Sequence, residues 1–464
     1  MTLTTPHTGA QVHQQQSTRR QARGWWLLWA MIGTFVALVL GVPGGVYLAW
    51  LQGAKADLDR EIAAIVAARE PLTTTELTAY YALPPGERNL TADWQAALAP
   101  LAAAAQQLTH HDLPPLGQSL PNEQGLRDSL AKMQPQIDLL HTLADQPGEV
   151  RYPHDFAGGA SMLMPEIDAL QGARHMLELE FQIAARQGDT ARVLRNLQTR
   201  VRMADTLASE PIAVALLMRA SLHRTALRDI QHYANLQPDL ADADLAALQA
   251  LARDIDYQPQ LRTVLLGERA LAYQAHHYRF RNEDELVSAA ASGPRVTTHD
   301  ASGVVNPECC AITLRQYSEL IAAAKLPTAQ QLDAVDSLHQ DFELLGDTPF
   351  SVWRYGRALV WKQIPQSVAY LAKATTYRDL TDVALAMHRY RQANGDFPAD
   401  LNDLVPNFLP TLPVDPCDGR PLRMKLEPTT LTLYSVGIDR IDDGGQCEVD
   451  SLAPDVSAVI PKQP

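Results

Sequence analysis

The spacing of apolar residues along most of this chain is that of α-helices. Leu170, Leu177 and Phe181 recur at helical spacing, and the same pattern resumes over 193–207. Between the two runs stands a Gln-Gly-Asp turn at 187–189. The pattern predicts an antiparallel helical hairpin. Further helices are predicted at 212–233, 241–253 and 366–394, so the expected fold class is mainly α.

The most apolar stretch lies near the N-terminus. Residues 25–50 (WWLLWAMIGTFVALVLGVPGGVYLAW) have no charged side chain and as a helix would be roughly 39 Å long, enough to cross a bilayer. Tryptophan and tyrosine stand at both ends, where such rings settle at the headgroups. Arg19, Arg20 and Arg23 precede the stretch without any acid. These features predict a signal anchor in the inner membrane, with the N-terminus in the cytoplasm and the body on the extracytoplasmic side.

A cleaved signal peptide is the competing interpretation of the same segment. Ala54 and Ala56 are small residues at a suitable cleavage position. The apolar run is about twice the usual 7 to 15 residues of a signal peptide, which favours the anchor. The rest of the chain is acidic, with a net charge of -14 for the whole sequence, and this disfavours nucleic acid as a partner.

The last 75 residues change from helical pattern to turns and alternation. Asn394 and Gly395 supply residues that end a helix, and Asp400 is placed to cap a single helical turn. Alternating residues over 422–426 and 431–436 predict two short strands joined by a turn. A long helix followed by a small sheet is a compact α+β unit.

A family resemblance rests on an ordered set of residues in this region. They are Tyr390, Asn394-Gly395, Phe397-Pro398, Leu404, Leu409-Pro410, Leu412-Pro413, Asp415-Pro416, Gly419, Pro421-Leu422, Tyr434-Ser435-Val436-Gly437, Asp439 and Asp442-Asp443-Gly444-Gly445. This stretch resembles the C-terminal half of the major pseudopilin of type II secretion systems. The whole chain resembles a group of uncharacterised membrane-anchored bacterial proteins with a helical middle and such a tail.

The layout also departs from that of a pseudopilin. A true pseudopilin carries its head directly on its own N-terminal apolar helix, whereas here more than 300 residues separate the two. Packing into a pseudopilus through a shared N-terminal helix is therefore not expected. The resemblance implies the architecture of the head and an association with secretion or pilus-like machinery.

The resemblance also implies a calcium site. Asp439, Asp442, Asp443 and Asp450 lie in a Gly-containing loop after the last predicted strand, and calcium prefers several carboxylate and carbonyl oxygens. In the pseudopilins the corresponding loop binds calcium. The spacing does not fit an EF-hand, and a solvated turn is the plain alternative.

Two cysteines flank this part of the chain. Cys417 stands where the family usually has an aromatic residue, and Cys447 ends the acidic loop. An oxidising compartment favours a disulfide between them, which would stabilise the fold by about 3 to 4 kcal/mol in the chain-entropy model. Two buried thiols are the alternative. The state of Cys309 and Cys310, adjacent in a predicted loop, is left open.

Candidate catalytic residues are scattered. No GxSxG elbow, phosphate-binding loop, dinucleotide fingerprint or zinc motif occurs in the sequence. His110-His111-Asp112 and His276-His277 are interpreted as surface or interface residues, because neighbouring histidines on a helix point in different directions. His154, beside Asp155, is interpreted as part of a turn.

Charged residues of the helical hairpin are interpreted as solvated. The acidic ones are Asp168, Glu178 and Glu180, and the basic ones are Arg192, Arg195, Arg200 and Arg202. Helical charges most often form a solvated face with neighbouring partners. A docking surface for an acidic partner is the alternative for the arginines.

These patterns predict an order of segments. They are a cytoplasmic basic tail (1–24), a transmembrane helix (25–50), an irregular helical-hairpin domain (51–288), a loop or linker (289–311), a helical connector (312–374), a pseudopilin-like α+β domain (375–450) and a flexible tail (451–464). The expected function is a non-enzymatic envelope scaffold or accessory protein with protein partners. The alternative is a membrane-anchored hydrolase with an unrecognised site in the helical domain.

Overall fold

The computed structural model describes residues 29–34, 42–105, 113–277, 307–344, 363–446 and 456–462. Within these ranges the protein is mainly helical and ends in a small sheet, which confirms the predicted fold class at that level. Much of the predicted transmembrane segment lies outside them. No helix in the described ranges is both long and apolar enough to cross a membrane. The transmembrane helix stays a prediction.

The helices are joined by mostly short connections. In chain order they are α1 (Val42–Ala67), α2 (Thr74–Tyr81), α3 (Thr91–Ala105), α4 (Glu123–Ala144), α5 (Pro165–Gln187), α6 (Thr190–Asp205), α7 (Ala213–Leu236), α8 (Asp242–Arg253), α9 (Gln258–His277), α10 (Pro307–Ala323), α11 (Thr328–Leu344) and α12 (Gln363–Asn394). Short 3₁₀ helices lie at Phe156–Ser161 and Leu401–Leu404. The strands are β1 (Arg423–Leu426), β2 (Thr430–Ser435) and β3 (Val456–Pro461).

The chain divides into two compact units, Met1–Glu61 and Ile62–Pro464. α1 crosses the boundary between them, whereas α2 to α12 and the sheet all belong to the second unit. The helices α2 to α11 are called the body below, and the region from the C-terminal half of α12 onward is called the head. Body and head are thus parts of one compact unit.

The predicted helical hairpin is α5 followed by α6. Gly188 adopts the left-handed φ of 69° that ends α5, and its N–H bonds to the carbonyls of the last turn. Asp189 then caps α6, because its side chain accepts a hydrogen bond from the Arg192 N–H. The hairpin contributes apolar side chains to two of the body's cores. It is therefore the centre of the body.

α12 belongs to the body and to the head at once. Val368, Leu371 and Leu385 pack in a body core, whereas Leu380 and Met387 pack in the head core with side chains of the sheet. A helix with two buried faces needs apolar residues on more than one side, which the sequence of α12 supplies. The head is therefore attached through buried surface as well as through the chain.

Polar side chains of α12 also bond to the body. The Asp382 carboxylate accepts hydrogen bonds from Arg253 at 2.9 Å and from Gln249 at 2.7 Å, both on α8. Arg389 bonds to Asp242 at the start of α8 at 2.7 Å. Because these bonds need a specific alignment of the two helices, they fix the register of α12 on α8.

The sheet has the order β1-β2-β3 with antiparallel pairing throughout. β1 and β2 match the predicted strands to within about one residue, and the turn between them lies at 427–429. Leu431 and Leu433 alternate with more exposed residues along β2 and point into the head core. The predicted α+β head is thus present in the described residues.

The prediction of a flexible tail at 451–464 is wrong for its second half. Val456–Pro461 forms β3, which pairs with the full length of β2. Val456, Ala458 and Ile460 are buried in the head core. In this short segment apolar residues stand at both even and odd positions, so the alternation typical of a half-buried strand cannot be recognised from the sequence alone.

The predicted loop or linker ends earlier than expected. α10 begins at Pro307, because proline is well suited to the first turn of a helix, where its missing N–H is not needed. Residues 307–311 are therefore helical, and Cys309 and Cys310 are buried there rather than exposed in a loop. Residues 289–306 lie outside the described part of the chain.

Glycine permits one very close contact in the body, between α9 and the connection that precedes α7. A Cβ atom at Gly267 would lie 1.9 Å from the carbonyl oxygen of Pro211, a distance no real contact allows. At Gly158 an added Cβ would meet its nearest atoms at 3.9 Å, which is ordinary contact. The two positions form a matched pair for substitution.

We expect Gly267→Ala to lower the free energy of unfolding by about 1–3 kcal/mol, because the backbone of Pro211 must move to make room for the new methyl group. Gly158→Ala is the control and should change it by less than about 0.5 kcal/mol. Urea denaturation followed by circular dichroism measures both. Equal stability of the two variants would contradict the close packing of α9.

Candidate functional site

The buried carboxylate of Asp415 organises the loop before the sheet. It accepts hydrogen bonds from the Cys417 N–H at 2.9 Å, the Ser435 hydroxyl at 2.7 Å and the Val436 N–H at 3.1 Å. Arg423 adds a charged donor at 3.1 Å. With four hydrogen-bond donors, this buried carboxylate has its hydrogen-bonding capacity satisfied by protein groups. Asp415 therefore fixes the loop to the end of β2.

Arg423 lies between three carboxylates. Besides Asp415, its guanidinium bonds to Asp418 at 2.6 Å and to Asp442 at 3.3 Å. Burial opposes ionisation of Asp418, but hydrogen bonds from Arg423 and from the Arg420 N–H outweigh it and lower the Asp418 pKa. One arginine thus supplies the positive charge that holds this acidic region together.

A cleft of about 360 Å³ opens between this loop and α11. It is lined by Ala329, Asp333, Cys417, Asp418, Arg420, Arg423, Val436, Arg440 and Asp442. Arg440 crosses to the body, where it bonds to Asp333 at 2.7 Å. The side chain of Arg420 is exposed and forms no ion pair with any residue in the described ranges. The cleft lies between the body and the head.

The predicted calcium ligands are only partly described. Asp439 and Asp442 each accept a hydrogen bond from a backbone N–H two residues ahead, at 3.1 and 3.0 Å, and Asp442 also pairs with Arg423. Asp443 is exposed, and Asp450 lies outside the described residues. Where the structure describes the chain, it contains no group of three or more histidine, cysteine, aspartate or glutamate side chains suited to a metal. Calcium binding stays a prediction.

The cysteines are also partly described. Cys417 is buried and lines the cleft, and burial raises its thiol pKa to about 11. Cys447 lies outside the described residues, so the Cys417–Cys447 disulfide stays a prediction. Burial raises the thiol pKa of Cys309 to about 11 and that of Cys310 to about 12. Such thiols remain protonated and unreactive at neutral pH.

The prediction that the glutamates of the hairpin lie on a solvated face is wrong. Glu180 is buried and bonds to Asn196 at 2.7 Å, to Arg192 at 3.0 Å and to His141 at 3.2 Å. Burial opposes its ionisation, but these partners outweigh it and lower the Glu180 pKa. Glu178 is also buried and pairs with Arg174 at 2.9 Å, whereas Asp168 is exposed as expected.

Three of the four arginines of α6 pair with carboxylates. Arg200 is 1% exposed and pairs with the buried Asp229 at 2.7 Å. Arg192 pairs with Glu180 at 3.0 Å, and Arg195 pairs with Asp145 at 2.5 Å. Arg202 is exposed. The docking alternative is therefore wrong for the buried Arg200 and stays a prediction for the other three arginines.

A cluster around His154 was missed in the sequence. Its Nε2 atom lies 2.6 Å from the Glu210 carboxylate and 3.9 Å from that of Glu166. The Tyr81 hydroxyl donates to the other oxygen of Glu210. The four residues come from distant segments, and no spacing along the chain relates them. His154 is therefore part of a buried constellation rather than of an isolated turn.

The remaining candidate histidines lie outside the described parts of the chain. These are His110-His111-Asp112 and the side chains of His276 and His277 at the end of α9. Their interpretation as surface or interface residues stays a prediction.

Comparison with known proteins adds nothing to this geometry. No family model matches the chain, and no curated protein or solved structure matches it either. The resemblance to pseudopilins therefore stays a prediction from the sequence.

We expect Arg423→Gln to lower the free energy of unfolding by about 3–5 kcal/mol, because it leaves the buried Asp415 carboxylate without its charged partner. Arg420→Gln is the matched control in the same loop. It removes an exposed arginine and should change stability by no more than about 0.5 kcal/mol. Thermal and urea unfolding measure both variants. A mild effect at Arg423 would show that the backbone donors alone satisfy Asp415.

Calcium binding by the acidic loop has its own test. If the loop binds calcium, millimolar calcium chloride should raise the unfolding temperature, since a ligand of the folded state stabilises it. Magnesium chloride is the control for ionic strength, and Asp443→Asn should reduce the effect. Isothermal titration with no heat of binding at millimolar calcium would refute the site.

Proposed function

We propose that this protein is a single-pass, membrane-anchored scaffold or accessory protein of the cell envelope. The uncharged segment 25–50 and the arginines before it support an anchor in the inner membrane with the body on the extracytoplasmic side. The pseudopilin-like residues of the head support an association with type II secretion or pilus-like machinery. In this proposal its role is non-enzymatic and its partners are proteins.

The observation that carries this proposal is the double burial of α12. One helix contributes to a body core and to the head core, and its polar residues bond to α8. The head is therefore held in one orientation on a helical body. Such an arrangement suits presentation of a binding surface of the head in a fixed orientation on the body.

The buried charges of the body support the same proposal over a hydrolase. Glu180 and Asp229 are buried, Asp205 is partly buried, and each pairs with an arginine on a neighbouring helix. The His154 side chain is fully buried, and those of Glu166 and Glu210 are 3% and 1% exposed. A substrate has no direct access to these groups in this conformation. Their arrangement is typical of structural rather than of catalytic charges.

Site-specific crosslinking in native membranes tests the proposal. A photoreactive amino acid at Ile441, which is 59% exposed on the head, should capture secretion or pilus-like components in full-length protein. The matched control is Leu139, 43% exposed on α4 of the body. Mass spectrometry identifies the captured proteins.

The outcomes are distinct. Capture of such components from Ile441 and not from Leu139 supports docking through the head. Capture from neither position, in protein that is correctly inserted, would contradict an association of the head with that machinery.

A further inference from the structure

The cluster around His154 has no part in the proposed scaffold role. His154 lies before the 3₁₀ helix Phe156–Ser161, Glu166 in the first turn of α5, and Glu210 in the connection from α6 to α7. The ring of His154 packs 5.9 Å from that of Tyr81 and 5.6 Å from that of Phe156. Two carboxylates and an imidazole are thus enclosed by aromatic rings in a water-poor corner.

Two atoms of the cluster have no hydrogen-bond partner. They are His154 Nδ1 and Glu166 Oε1, and both are buried. In contrast, Glu210 accepts from the hydroxyl of Tyr81 and from the Tyr152 N–H at 3.4 Å. At a buried nitrogen or oxygen without a hydrogen-bond partner, an added proton changes the local charge without breaking an existing bond.

The net charge of the cluster depends on its protons. With a neutral histidine and two carboxylates it is doubly negative in a region of low dielectric, which is unfavourable. A proton on His154 and another on Glu166 bring it to zero. The guanidinium of Arg151 lies 5.6 Å from the centre of the Tyr81 ring, and it already pairs with Glu149 at 2.7 Å. Arg151 therefore compensates only part of the charge.

We propose that His154, Glu166 and Glu210 form a proton-operated latch for segment 152–164. In the protonated state the cluster fastens this segment to α2 and to the connection between α6 and α7. When the protons leave, repulsion between the two carboxylates loosens the segment. The segment carries Gly158, Gly159 and the 84% exposed Leu163, and it contains the 3₁₀ helix Phe156–Ser161 but no α-helix, so it can open without disturbing an α-helix.

The directions of the pKa shifts agree with this geometry. Burial lowers the His154 pKa, but the hydrogen bond and charge of Glu210 outweigh it and raise that pKa above 6.5. Burial raises the Glu166 pKa above 4.5. Burial also raises the pKa of Tyr81 and Tyr152, so both hydroxyls stay protonated.

The sign of the effect follows from linkage. A group whose pKa is higher in the folded state stabilises the fold fully below its unfolded pKa. That stabilisation is lost as pH rises through the folded pKa. Both His154 and Glu166 belong to this class. The latch therefore closes toward acidic pH and opens as pH rises beyond the ordinary histidine range.

Hydrogen exchange of the full-length protein in detergent tests the latch. From about pH 5 to about pH 8 we expect protection of segment 152–164, corrected for intrinsic exchange rates, to fall by about tenfold or more, the factor that one pKa unit provides. Amides of α3 serve as the internal reference. Glu166→Gln mimics the protonated carboxyl and should reduce this dependence on pH. Asp155→Asn is the matched control, because it removes an exposed neighbouring carboxylate but keeps the oxygen that accepts from the Ala157 N–H.

Two results would overturn the latch. One is a protection of segment 152–164 in the unaltered protein that does not change with pH relative to α3. The other is a Glu166→Gln variant with the same dependence on pH as the unaltered protein. If that variant fails to fold, the pH dependence of hydrogen exchange in the unaltered protein and in Asp155→Asn still tests the latch. Neither result bears on docking through the head, so the two proposals fail separately.

Discussion

The burial of α12 on two sides is the constraint on which the rest of the architecture depends. Its apolar residues are divided between a body core and the head core, so neither core is complete without this helix. A separate head would expose the side chains of α12 that now pack on α7 and α8, at a cost of roughly 25 cal/mol for each Å² of apolar surface. The bonds of Asp382 to Gln249 and Arg253 add alignment to that burial. The head therefore behaves as an extension of the body, in contrast to a pseudopilin head carried on its own N-terminal helix.

Within the body, consecutive helices are aligned by pairs of buried or partly buried polar groups. Glu180 on α5 bonds to Asn196 on α6, Arg200 on α6 to Asp229 on α7, and Arg219 on α7 to Asp205 on α6. Burial opposes ionisation of Asp205, but the charges and hydrogen bonds of His223 and Arg219 outweigh it and lower its pKa to about 2. A shift of one helical turn would leave each of these charges without a partner in the interior, which costs several kcal/mol. Apolar packing holds the helices together, and these pairs select one register.

Local signals explain what could be predicted from the sequence. The turn at Gly188 and Asp189, the end of α12 at Asn394 and the pairing of β1 with β2 depend on a few adjacent residues, and all are present. β3 could not be predicted, because its partner β2 is more than 20 residues away and its own pattern is short. The burial of Glu180 and Arg200 was missed because charged residues on a helix usually face solvent, and only the facing helix supplies the partners that reverse this. The cluster of Tyr81, His154, Glu166 and Glu210 exists only after four segments have met.

The buried side chains of Asp415 and Glu166 differ in the number of hydrogen-bond donors that they receive. Asp415 receives hydrogen bonds from backbone, hydroxyl and guanidinium donors, so a proton would displace a donor and weaken the site. Glu166 has a buried oxygen without a donor, 3.9 Å from the His154 Nε2 atom, which itself bonds to Glu210. There a proton adds a bond or removes repulsion instead of breaking an existing contact. The carboxylate of Asp415, whose hydrogen-bond donors are all present, therefore fixes the structure of the head. The carboxylate of Glu166, which lacks a donor, makes its part of the body sensitive to protons.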